Sequence, residues 1–205
     1  MCIRDSIKSF LWGGYHWRST DRVAPHNAYT STEKLWEQAI DKGWGTDGLN
    51  IASWKFKNDK DVSERPATAE INLSFAGSAG SYGVRWTYDK DSNMYRRENN
   101  SVTSIDKVTG LQLEAKTIIV QKVDKSYPSP KDSSNRIILD FMGEGSAIIF
   151  MDGSAIDANW SKSSRMSRTR FYDLDGNEIE MNRGKIWVEV VPMSKGKLEG
   201  SLTYN

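Results

Sequence analysis

The spacing of apolar and polar residues changes near residue 68, and the change divides the chain into two unlike parts. Before it, Leu35, Trp36, Ala39 and Ile40 form a stripe with the period of an α-helix. Ser31 or Thr32 can cap its start, Glu33 falls in the first turn, and Gly43 suits the stop. This spacing predicts a helix from about Thr32 to Lys42, followed by one short strand near 51–56. After residue 68 the period becomes two. Residues 69–75 and 82–88 alternate, 89–93 read as a turn, and 94–97 resume extended chain, which is a hairpin signature. Further strands are predicted at 117–123, 137–141, 146–151, 154–160, 169–172 and 186–191. Asp152-Gly153 and Asp175-Gly176 are two-residue turn signals between them. The expected fold class is α+β: a short helical N-terminal portion at 7–57, a polar linker at 58–68, and a predominantly antiparallel β domain at 69–205, built as a sandwich or partly closed barrel.

Composition narrows the function classes more than it selects one. The 28 basic and 27 acidic residues leave a net charge of +1, so the chain lacks the field of a general nucleic-acid binder. Eight Trp, eight Tyr and six Phe suit packing across pleated faces and also suit ligand platforms. Cys2 is the one cysteine, which excludes an internal disulfide and a cysteine zinc knuckle. No leader or membrane-spanning run is visible, and residues 7–12 read as the inside of an element, so the chain is expected to start at the cut edge of a longer protein.

Candidate chemistry is sparse. His16 and His26 are the two histidines, and with Arg18 and Arg22 they form the best anion-binding hypothesis, because guanidinium forks suit carboxylates and phosphates. The competing reading gives these arginines to acidic neighbours. The run 161–170 is basic and rich in hydroxyls, so Arg165, Arg168 and Arg170, with Trp160 as a stacking group, are candidates for surface interaction; an edge that blocks sheet association is the structural alternative. Gly143-Glu144-Gly145 matches neither a dinucleotide fingerprint nor a phosphate loop. A hydrolase would have to draw on His26 and Glu144 within hydrogen-bond reach of each other. No cofactor or metal is expected, and no nucleophile–base–orienter set is visible.

Several phrases in order resemble one family. Trp17-Arg18 with 22–30, the strand–turn–strand from Tyr82 to Tyr95, Asp106 with Thr109-Gly110, and the stretch from Asn182 to Pro192 are similar to the YerB-like family of bacterial extracytoplasmic lipoproteins. Where that family commonly has His two residues before the aspartate matching Asp106, Ser104 stands here, which removes a ligand from that spot. The resemblance implies that 7–57 is the end of the family's N-terminal domain. It also implies an extracytoplasmic protein anchored through a lipidated leader that this chain lacks. The function expected is a non-catalytic module binding an envelope protein or cell-wall polymer, with an envelope hydrolase or a purely structural domain as alternatives.

Overall fold

The computed structural model describes residues 14–24, 27–44, 52–75, 82–128 and 137–205. The chain divides into two compact units, Met1–Ala52 and Ser53–Asn205. In the first, the two-residue strands β1 (Trp17–Arg18) and β2 (Ala28–Tyr29) pair antiparallel, and α1 spans Thr32–Asp41. Ser31 caps α1 by accepting the Lys34 N–H at 3.2 Å, as its position before the apolar stripe predicts. The stripe is only partly covered, with Trp36 and Ile40 exposed.

The second unit contains β3 (Phe56–Lys57), β4 (Glu70–Phe75), β5 (Gly83–Asp89), β6 (Met94–Asn99), β7 (Val102–Thr103), β8 (Glu114–Ala115) and β9 (Thr117–Ser126). It continues with β10 (Ile138–Leu139), β11 (Gly143–Met151), β12 (Ser154–Lys162), β13 (Arg170–Tyr172), β14 (Met181–Asn182), β15 (Ile186–Ser194), β16 (Lys197–Leu198) and β17 (Gly200–Tyr204). A smaller sheet runs β17-β4-β5-β6-β7, with β8 on β6. A larger one runs β13-β12-β11-β9-β15-β16, with β10 on β9. Pairing is antiparallel except between β9 and β15 and in the short β3–β14 pair. The α+β class, the predominantly antiparallel sandwich and, among the described residues, the one α-helix follow the expectation from residue spacing.

Alternation explains how the large sheet is buried on both faces. Ile118, Val120, Ile148 and Phe150 point into the layer between the sheets, where they meet Ile71, Trp86 and Tyr95. Their neighbours Ile119, Val123, Ile149 and Met151 point the other way, against Phe171, Met181 and Trp54. A strand buried on both faces reads as a continuous apolar run, as Thr117–Val123 nearly does. The run 58–68 lies ahead of β4 but is fastened to the sheets. Asp59 pairs with Lys116, Asn58 accepts from Arg183 at 2.6 Å, and Arg65 donates to the Lys60 and Lys90 carbonyls. The division between the units falls before this run, at 52/53.

Candidate functional site

A groove crosses one end of the large sheet. In register, Ser146 of β11 faces Asn159 of β12, which faces Tyr172 of β13. One step along the strands, Glu144 faces Ser161, which faces Arg170. Cross-strand partners share a face, so these six polar side chains form two rows on one surface. It is the face that carries Ile148 and Phe150 into the inter-sheet layer. The Phe150 ring meets Tyr204 of β17 edge-on at 5.1 Å, while Ser146 and Glu144, further along β11, are exposed.

Two cavities occupy this surface. The larger, about 540 Å³, is lined by Glu144, Ser146, Asn159, Ser161 and Tyr172. The smaller, about 290 Å³, shares Glu144 and Ser146 and adds Lys122 and Asp124 of β9, Asp140, and Met193 of β15. Met193 is in register with Asp124, so the groove continues over five strands. Gly145 and Trp160 line both cavities as well. They are cross-strand partners, and a Cβ at position 145 would stand 2.6 Å from Trp160 Nε1. The glycine lets the indole lie flat on the strand, where its N–H donates to the Lys122 carbonyl at 2.8 Å.

Five polar side chains facing the groove are left open to solvent. Among the described residues, no hydrogen bond or ion pair holds the side chains of Glu144, Ser146, Asn159, Ser161 or Tyr172. Several charged side chains elsewhere on the sheets are paired: Arg85 with Glu98, Arg96 with Asp89, Lys125 with Glu199. Arg170, at the groove's end, is taken up by Glu178 and the Ser53 carbonyl. The groove's charge comes from Asp124, Asp140 and Glu144 against Lys122.

Two buried polar centres serve the fold. Asp152 occupies the turn between β11 and β12 with φ +53, followed by Gly153 at +72, the left-handed pair of a type I′ hairpin. A Cβ at Gly153 would stand 2.5 Å from the Tyr88 ring and 2.6 Å from Pro66. The Asp152 carboxylate accepts from Lys57 Nζ at 2.6 Å, Asn182 Nδ2 at 2.6 Å, Asn93 Nδ2 at 2.9 Å and the Lys60 N–H at 3.3 Å. Burial alone would raise its pKa, but the bonds from Lys57, Asn93 and Asn182 outweigh it and hold the carboxyl at about 2. Burial pushes the neighbouring Tyr88 hydroxyl up to about 12. The second centre lies between the sheets: Arg97 sits over the rings of Trp187 and Trp86, at 5.1 and 5.8 Å, with Glu189 at 3.6 Å. Ser104 accepts from Arg97 at 3.1 Å.

The residues singled out from sequence fare differently. Arg18 donates to Asn27 Oδ1 at 2.6 Å and so orders its own loop. His16 is half-buried, Arg22 is exposed, and His26 lies outside the described residues. Trp160 is not a surface platform. It is 2% exposed, because its position in β12 faces the same layer as Ala158 and Phe171. Arg168 lies over the Trp54 ring at 4.7 Å, and Arg165 is exposed. Glu144 stands in the groove. Ser146, Asn159, Ser161 and Tyr172 were not selected from sequence. The available signal was polar residues at alternate positions on two strands already assigned.

Among the described residues no group of His, Cys, Asp and Glu is placed to hold a metal ion, and no helix is long and apolar enough to cross a membrane. Comparison with known proteins agrees with the sequence resemblance. Residues 71–188 match the family described as protein of unknown function (DUF3048), C-terminal domain. YerB of Bacillus subtilis (strain 168), described as a candidate lipoprotein, is 24% identical over 182 residues, covering 88% of this chain and 52% of that protein. This chain therefore spans about half the length of that curated relative. The crystal structure of the Bacillus subtilis YerB protein superposes with a TM-score of 0.75 at 21% identity, over 93% of this chain and 60% of the other, a likeness of fold. The chain belongs to the DUF3048, or YerB-like, family.

Proposed function

We propose that this chain is a binding module, not a catalyst, of a membrane-anchored envelope lipoprotein, and that its ligand site is the groove across β13, β12, β11, β9 and β15. The observation that carries the reading is the set of unengaged polar side chains on one concave face: Glu144, Ser146, Asn159, Ser161 and Tyr172. Solvent-facing donors and acceptors grouped on a cavity of about 540 Å³ suit a polar ligand. The description of YerB as a candidate lipoprotein supports the extracytoplasmic, membrane-anchored setting. An envelope protein or a cell-wall polymer is the class of partner. The division of labour expected from sequence, with 7–57 as the end of a preceding domain, belongs to the same proposal.

Filling the groove tests it. Ser146→Tyr with Ser161→Tyr places two large side chains on exposed or half-exposed strand positions that favour aromatics. The chain is expected to co-sediment with isolated Bacillus subtilis envelopes, and the filled variant to do so at least fivefold less. Equal sedimentation of the two, or none by either, overturns the reading.

A further inference from the structure

We infer that the groove takes a linear glycan without acidic groups, laid across the strands; this rests on the reading of the groove as a ligand site. Three features lead there. The first is direction. The two cavities share Glu144 and Ser146 and continue from Tyr172 on β13 to Met193 on β15, perpendicular to the strands. Neighbouring strands lie about 4.8 Å apart, so five of them present a track of roughly 19 Å with a new side chain at each step. A repeating chain suits such a track, whereas a compact metabolite would meet only part of it.

The second is functional-group type. Hydroxyls from Ser146, Ser161 and Tyr172, the amide of Asn159 and the carboxylate of Glu144 give both donors and acceptors. That mixture matches polyhydroxylated units, which donate and accept at every position. The third is charge. Asp124, Asp140 and Glu144 outnumber Lys122, and the nearest arginine, Arg170, is held by Glu178. A phosphate-bearing or carboxylate-bearing polymer would meet net repulsion here.

The test is a nuclear magnetic resonance titration of the labelled 205-residue chain. The probes are neutral hexamers of N-acetylglucosamine and of glucose, and inorganic polyphosphate. At least one neutral hexamer is expected to shift the backbone amides of Ser146, Asn159 and Tyr172, and polyphosphate to leave them in place. Asn159→Ala and Tyr172→Phe, each with unchanged thermal unfolding, are expected to weaken the hexamer by three- to tenfold. Binding of polyphosphate in the groove overturns the glycan assignment, and so does silence of both hexamers. The two readings fail separately. If the filled variant loses envelopes but no hexamer binds the chain, the groove stands and the glycan falls. If the filled variant retains envelopes, the groove reading itself falls.

Discussion

Asp152→Asn isolates the charge at the centre of the strap, turn and sheet junction. Asparagine tolerates the left-handed backbone that residue 152 adopts at φ +53, and it preserves the side chain's shape. Its carbonyl still serves Asn93 and Asn182, which both bond to Oδ1. What is lost is the charge-assisted bond from Lys57 to Oδ2, replaced by an amide whose N–H groups face the ammonium. Breaking a fully buried pair costs about 3–5 kcal/mol, but the Lys57 side chain is 26% exposed and regains some water, so we expect about 2–3 kcal/mol. For a unit of this size that lowers Tm by roughly 5–10 °C. The pH dependence gives a second readout. The folded carboxyl titrates at about 2, against about 3.9 unfolded, so the ionised form favours folding. That contribution is whole above about pH 5 and fades as pH falls toward about 2. The shift corresponds to about 2.6 kcal/mol, and screening at the solvent-touched Lys57 reduces it to roughly 1–2 kcal/mol. Thermal unfolding followed by near-ultraviolet circular dichroism should therefore show the two proteins converging on acidification. A variant as stable as the parent at neutral pH, or a gap that stays constant between about pH 6 and about pH 3, refutes the reasoning.

Gly145→Ala should lose about 1–3 kcal/mol in urea unfolding, because its Cβ would stand 2.6 Å from an indole anchored to the Lys122 carbonyl; unchanged stability would show that the ring can move aside. Arg97→Leu strips the cation from Glu189, which is 7% exposed and also accepts from Trp86 Nε1 at 3.2 Å, and should cost about 3 kcal/mol. Adding Glu189→Gln should recover part of that loss in a double-mutant cycle, and a double variant no better than the single one would mean that the two residues are uncoupled.

The strands were legible because each is short, alternating and bounded by turn residues. Residues 70–75, 83–89 and 154–160 show their inward positions directly in their spelling. The pairing was not legible. That β15 would return to lie parallel to β9 depends on which edges remain free after the hairpins form, and no local pattern encodes it. For the same reason residue spacing puts Lys57 at the end of the N-terminal portion, although its partners Asp152 and Asn182 are far along the chain. Trp160 was misplaced as a surface group because a tryptophan beside a basic run looks exposed. The pairing with Gly145 decides otherwise, and glycine opposite an aromatic is a packing device. The groove was hidden for a complementary reason. Serine, asparagine and glutamate on a strand read as solvent-facing residues, and only the pairing of β11, β12 and β13 sets them side by side in rows.

The parallel joining of β15 to β9 also shapes how the chain comes off the ribosome. β9 is complete early, with apolar residues on both faces and one edge awaiting a strand that begins at Ile186. β17, which flanks the small sheet, is later still, ending at Tyr204. Neither sheet can close until β15 and β17 have been made, and distant pairings of this kind fold slowly. During that interval the nascent domain exposes an open strand edge, which makes it prone to aggregate until β15 and β17 have emerged.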